Sequence, residues 1–290
     1  LTNPVVMKRT VETKGQNLVR GMRHLITDLK RGQLTHTDPN AFTLGTNLAA
    51  TPGKVVHETQ LFQLIQYSPS TKDVYEVPLV IFPPWINKFY ILDLKEKNSL
   101  IKWIVDQGYT LFVVSWKNPD ASFHEFGMDD YVQTGYFEAI EQVKAITGEK
   151  QINAVGYCIA GTTLSLTLGL MQKRGDKSVK SATFLTTMTD FEEQGEFGVF
   201  LTDDFVDAIE EQVEEDGVLE SFIMSRTFSY LRSNDLIYGP AIRSYMLGEA
   251  PPAFDLLYWN GDGTNLPARM VMQYLRGLCQ ENRLARDGYE

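Results

Sequence analysis

Gln151-Ile152-Asn153-Ala154-Val155-Gly156-Tyr157-Cys158-Ile159-Ala160-Gly161-Thr162 decides how the rest of the chain is read. A short, β-branched run climbs to a Gly-x-Cys-x-Ala-Gly turn, and Thr162 to Met171 then reads as a buried helix. A nucleophile at such a turn sits on strained backbone. Small residues at 156, 160 and 161 let strand and helix pass close to each other. A helix N-terminus behind Cys158 is expected to lower its pKa and favour the thiolate. The competing reading is a buried structural thiol, the commonest fate of a free cysteine. The flanking glycines and the switch from strand to helix favour the nucleophile.

Strand, sharp turn with nucleophile, then helix is the layout of the nucleophile elbow of α/β-hydrolases, with Cys in place of Ser. The surrounding sequence fits that fold class. Pro78-Leu79-Val80-Ile81-Phe82 and Tyr109 to Trp116 are apolar runs of the kind buried on both faces of a sheet. Val179 to Thr186 makes a further strand. Between them, Asn98 or Ser99 caps a helix ending at Gly108, and Asp129 opens a long helix that Gly148 stops. This alternation over residues 78–187 predicts a doubly wound, mostly parallel sheet, with Cys158 at the carboxyl end of a strand. Val55 to Glu58 and Phe62 to Tyr67 alternate and read as flanking antiparallel strands.

Outside this core the pattern changes. Residues 9–31 read as one amphipathic helix with an apolar stripe of Leu18, Met22, Leu25, Ile26 and Leu29, closed by Gly32. After Phe191 the alternation stops. An acidic helix spans 203–216, with Phe205, Ile209 and Val213 on one side. Aromatic-rich pieces follow (Phe228, Tyr230, Tyr245, Phe254, Tyr258, Trp259), and a helical cap whose core they form fits best. The division expected is 1–47 as the end of a helical region, 48–190 as a partial α/β-hydrolase core, and 191–290 as the cap.

In this fold one oxyanion-hole N–H comes from the residue after the nucleophile and another from the loop after the strand at 78–82. Pro83 and Pro84 have no N–H to give. The candidate donors are therefore Ile159 with Trp85 or Ile86, against the simpler reading of 83–88 as a rigid turn packing an aromatic. The base is harder to find. The fold's order is nucleophile, acid, histidine, yet His24, His36, His57 and His124 all precede Cys158. The first three read as surface or boundary side chains. His124 follows the strand ending at Trp116 but breaks the order.

The net charge of −10 argues against nucleic acid or an anionic membrane as the main partner. Cys158 and Cys279 form no metal or disulfide spacing, which suggests a reducing cytoplasm, and no metal or cofactor motif occurs. No apolar run reaches the ~18 residues a membrane span needs. Leu1 in place of an initiator Met suggests a piece of a longer chain.

Ordered blocks then carry a resemblance. They are Leu1 to Pro4, Asn47 to Val56, Pro83 to Lys88, Tyr90 to Leu94, Ser115-Trp116, Asn118 to Asp120, Gly156 to Cys158 and Phe254 to Asn260. With them the chain closely resembles the class I polyhydroxyalkanoate synthases, truncated at both ends. The resemblance implies an acyltransferase that polymerises 3-hydroxyacyl-CoA, 3-hydroxybutyryl-CoA among them, through a chain held on Cys158 as a thioester. CoA is released, and the CoA thioester is a substrate, so no cofactor is expected. It also implies a homodimer and residence in the cytoplasm at the polyester granule surface. The usual box is Gly-x-Cys-x-Gly-Gly, so Ala160 is a departure, small enough to be tolerated. The family's catalytic Asp and His would fall after residue 290, which leaves this piece inactive alone. Two other readings stay open: a dienelactone-hydrolase-like Cys hydrolase and a non-catalytic granule-surface protein.

Overall fold

A computed structural model describes residues 2–286. Helices α1 (Pro4–Glu12) and α2 (Gln16–Arg31) come first, followed by strands β1 (Gly53–Glu58), β2 (Phe62–Tyr67) and β3 (Leu79–Phe82). Helix α3 (Leu100–Asp106) leads to β4 (Leu111–Trp116), and a long helix, α4, spans residues 128–147 with a π-helical middle. Then come β5 (Ile152–Tyr157), α5 (Ile159–Arg174) and β6 (Val179–Leu185).

The six strands form one sheet in the order β1-β2-β4-β3-β5-β6. The pairs β3/β4, β3/β5 and β5/β6 are parallel, while β1 and β2 join antiparallel, as the sequence predicts. Alternation divides each strand between two cores. Val80, Phe82, Phe112 and Val114 face one side, with Tyr131, Tyr136 and Ile140 of α4 and Leu164 of α5. Ile81, Leu111 and Val113 face the other, against Ile101, Ile104 and Val105 of α3. The helices thus cover both faces, which lets β3 and β4 be apolar along nearly their whole length. Ser99 caps α3, its Oγ accepting from Lys102 N at 2.9 Å.

The remainder is largely helical: α6 (Asp203–Asp216), α7 (Ser221–Leu231), α8 (residues 234–246, mostly π-helical), α9 (Asp255–Asn260) and α10 (residues 268–280). Two short strands, Val218–Leu219 and Leu266–Pro267, pair within it. Val206, Ile209 and Val213 of α6 and Val271, Leu275 and Leu278 of α10 join the same core as the sheet.

Four expectations need correction. The helix expected over 9–31 is two helices, because Lys14 and Gly15 both take positive φ and turn the chain. Its apolar stripe packs only in part: Leu18 and Leu25 are half-buried and Met22, Ile26 and Leu29 exposed, while Asn17, Gly21 and Asp28 are buried. Among the aromatics assigned to the cap's core, Phe228, Tyr230 and Phe254 are exposed, and on α6 Val206 replaces Phe205 in the buried stripe.

Candidate active site

Cys158 stands at the junction of β5 and α5. Its backbone, φ 52° and ψ −135°, lies where a residue with a side chain is strained. Its N–H is held by Leu185 O of β6 at 2.9 Å, and its carbonyl accepts from Gly161 N at 3.0 Å. The two glycines have distinct jobs. A Cβ on Gly156 would come within 2.8 Å of Gly161 Cα, so strand and helix touch backbone to backbone. A Cβ on Gly161 would fall 1.9 Å from Thr187 Oγ1. Ala160 is accommodated: it is fully buried, and its carbonyl accepts from Tyr136 Oη at 2.8 Å. Helix α5 begins at Ile159, three residues before the sequence expectation.

The turn leaves Cys158 exposed. Enough protein packs around the residue that burial holds its thiol above the ordinary cysteine value, opposed by a hydrogen bond from the Ile159 N–H. The expected depression by the helix N-terminus is therefore corrected: desolvation outweighs the single N–H that reaches the sulfur. The neighbouring Ile159 N–H is the backbone donor that favours the thiolate.

The loop after β3 arrives at the same edge. Phe82 pairs with Gly156, so residues 83–86 leave β3 beside the point where Cys158 leaves β5. Trp85 is fully buried, and its Nε1 donates to Thr163 Oγ1 of α5 at 3.1 Å. The cap pins this loop from outside: Thr264 N donates to Ile86 O (3.3 Å) and Trp259 Nε1 to Lys88 O (2.7 Å). Asn265 N donates to Asn118 Oδ1 at 2.8 Å. Residues far apart in sequence, Lys88 with Trp259 and Asn118 with Asn265, thus meet beyond the carboxyl ends of β3 and β4.

The histidines lie elsewhere. His24 Nδ1 is 3.1 Å from Ser244 Oγ, and His36 Nε2 meets Leu236 O at 2.5 Å. His57 Nε2 lies 3.0 Å from Glu138 Oε1, and His124 Nδ1 is 2.8 Å from Glu125 Oε1. No imidazole is among the groups acting on the Cys158 thiol among the described residues.

One site neighbour escaped sequence reasoning. Tyr274 of α10 packs edge-on against Trp85, with ring centroids 5.7 Å apart. Burial, and then Cys279 and Cys158, hold its phenol well above the usual value, so it lies within electrostatic reach of both sulfurs. Cys279 itself is buried, its thiol pushed up to about 12. Among the described residues no cluster of His, Cys, Asp and Glu could hold a metal ion, and no helix is long and apolar enough to cross a membrane.

Residues 78–286 match the family described as the α/β hydrolase fold. The chain belongs to that family. Residues 1–104 match a second family, described as the poly-beta-hydroxybutyrate polymerase (PhaC) N-terminus. The similar curated proteins are polymerases. A poly(3-hydroxyalkanoate) polymerase of Methylorubrum extorquens is 46% identical over 99% of this chain and 48% of its own length. The polymerase subunit of Rhizobium meliloti is 43% identical, over 98% of this chain and 47% of its own length. That of Cupriavidus necator is 41% identical, over 98% and 49%. The chain spans about half the length of these relatives.

Proposed function

We infer that this α/β-hydrolase-fold chain carries the nucleophile of an acyltransferase that polymerises 3-hydroxyacyl-CoA into polyester. The observation that carries the reading is Cys158, exposed on a strained strand-to-helix turn and followed directly by the helix that begins at Ile159, in a chain similar to poly(3-hydroxyalkanoate) polymerases.

The chemistry follows from the thiol. The Cys158 thiolate attacks the carbonyl of the CoA thioester, and the tetrahedral oxyanion collapses to expel CoA thiolate. One thioester replaces another, so the transfer is nearly isoenergetic, which suits Cys better than Ser. The 3-hydroxyl of an incoming unit then attacks the enzyme-bound acyl group. An ester forms, and Cys158 leaves as thiolate. Ile159 N–H and an amide from Trp85 or Ile86 would hold the oxyanion, each worth ~3 kcal/mol in the transition state. The raised thiol pKa makes a general base necessary at neutral pH, both to generate the thiolate and to deprotonate the hydroxyl. None of the four histidines stands where it could serve, so the 290-residue chain by itself is expected to be inactive. Cytoplasmic residence, homodimerisation and work at a polyester granule surface belong to the same proposal.

The test is the covalent intermediate. Whole protein incubated with labelled 3-hydroxybutyryl-CoA should carry a hydroxylamine-sensitive acyl group on the Cys158 peptide, and Cys158→Ala should carry none. Label on another residue, or unchanged polymer yield from Cys158→Ala, overturns the reading.

A further inference from the structure

A closed ring of contacts ties Tyr274 to the elbow. Its neighbour Gln273 accepts, through Oε1, from Met128 N at the start of α4 (2.5 Å). Met128 Sδ lies 3.7 Å from Thr163 Oγ1 of α5, which is also 3.2 Å from the carbonyl of Ile159, the residue after the nucleophile. Thr163 Oγ1 accepts from Trp85 Nε1 at 3.1 Å, and the edge-on contact of Trp85 with Tyr274 closes the ring. Met128, Thr163 and Trp85 are buried, while Tyr274 is half-buried and so borders open space. The stretch that carries it, Gln273–Gln280, is π-helical, a geometry frequent at functional sites. A cap residue is thus fixed against the two elements that hold the candidate oxyanion donors, α5 with Ile159 and the loop with Trp85 and Ile86.

The chemistry of a phenol narrows its use here. Tyr274 lies within electrostatic reach of Cys158, and burial, with Cys279 and Cys158, holds its proton on well above the ordinary tyrosine value. A general base needs a pKa near the working pH, so Tyr274 is not the missing base. A neutral O–H beside the thiol suits the opposite task, donating to charge that develops on oxygen. The loop after β3 is short of such donors, since Pro83 and Pro84 have no N–H.

We propose that Tyr274 is a catalytic residue of the acyl transfer, its phenol donating a hydrogen bond to the oxyanion formed when the Cys158 thiolate adds to the thioester carbonyl. As the new C–S bond forms, the carbonyl π pair moves onto oxygen and the hydrogen bond strengthens. When that pair returns, the bond to the CoA sulfur breaks, CoA thiolate leaves and the hydrogen bond relaxes. The phenol keeps its proton throughout. The proposal rests on Cys158 as the nucleophile.

The test is Tyr274→Phe in the whole protein, which keeps the ring against Trp85. Single-turnover acylation by labelled 3-hydroxybutyryl-CoA should slow roughly a hundredfold while the thermal melt stays unchanged. Alkylation of Cys158 by iodoacetamide, a displacement that forms no oxyanion, should keep its wild-type rate and pH midpoint. Acylation of Tyr274→Phe at the wild-type rate overturns the proposal. So does an equal loss of alkylation, because Tyr274 would then act on the thiol and not on the oxyanion. Absence of label from Cys158 in the unmutated protein overturns instead the reading of Cys158 as nucleophile.

Discussion

Cys158 is a nucleophile candidate whose pKa lies on the unfavourable side. Burial raises it and one amide opposes. Alkylation by iodoacetamide should therefore speed up with pH along a curve whose midpoint lies above the value of about 8.5 for free cysteine. A midpoint near 7 would contradict this and mean that a base already acts on the thiol. Cys279 gives a stability counterpart. A thiol raised in the folded state contributes stability that is complete below its unfolded pKa and is lost as pH rises toward the folded one, here about 12. Urea midpoints of the native protein should fall above about pH 8.5, and Cys279→Ala should flatten that fall. The place of Cys158 on a strand-to-helix turn was legible in the sequence because glycines flank the switch on both sides. Tyr274 was not, since its closeness to the thiols depends on how α10 packs, more than a hundred residues downstream.

At the scale of elements, the elbow depends on two close approaches that differ in kind. Gly161→Ala drives a Cβ into the Thr187 side chain, and overpacking of this sort costs about 1–3 kcal/mol. Thr187→Ala should restore part of the loss, read as coupling in a double-mutant cycle of denaturant unfolding. Gly156→Ala meets the backbone of Gly161 and should find no such rescue. Full additivity of Gly161→Ala and Thr187→Ala would contradict the packing described. The strands and the caps at Ser99 and Gly148 follow local rules, and the sequence reading places them well. The reading of residues 9–31 failed for a reason outside local rules. Amphipathic periodicity says that a helix has two faces, not which of them meets the protein, and here Asn17 and Gly21 meet the α8 backbone and Asp28 the Tyr245 hydroxyl. Gly21→Ala, whose Cβ would lie 1.9 Å from Tyr245 O, should part α2 from α8 and raise amide exchange at residues 242–248.

Over the whole molecule, the sheet gathers three otherwise distant segments at one edge: the turn after β5, the loop after β3 and the cap residues that pin it. The far strand, β6, is exposed along most of its length, with Phe184 and Leu185 open. Such an edge invites pairing, so the isolated 290-residue chain should associate as its concentration rises, and Phe184→Lys should reduce this in light scattering. The likeness to poly(3-hydroxyalkanoate) polymerases came through in the sequence because the motif blocks are ordered. The base did not, because no histidine here is brought to the thiol. The central claim is that Cys158 carries the acyl chain. Mass spectrometry of whole protein quenched during turnover of 3-hydroxybutyryl-CoA should find the acyl group on the Cys158 peptide and on no other. A Cys158 peptide that stays unmodified while polymer accumulates would contradict it.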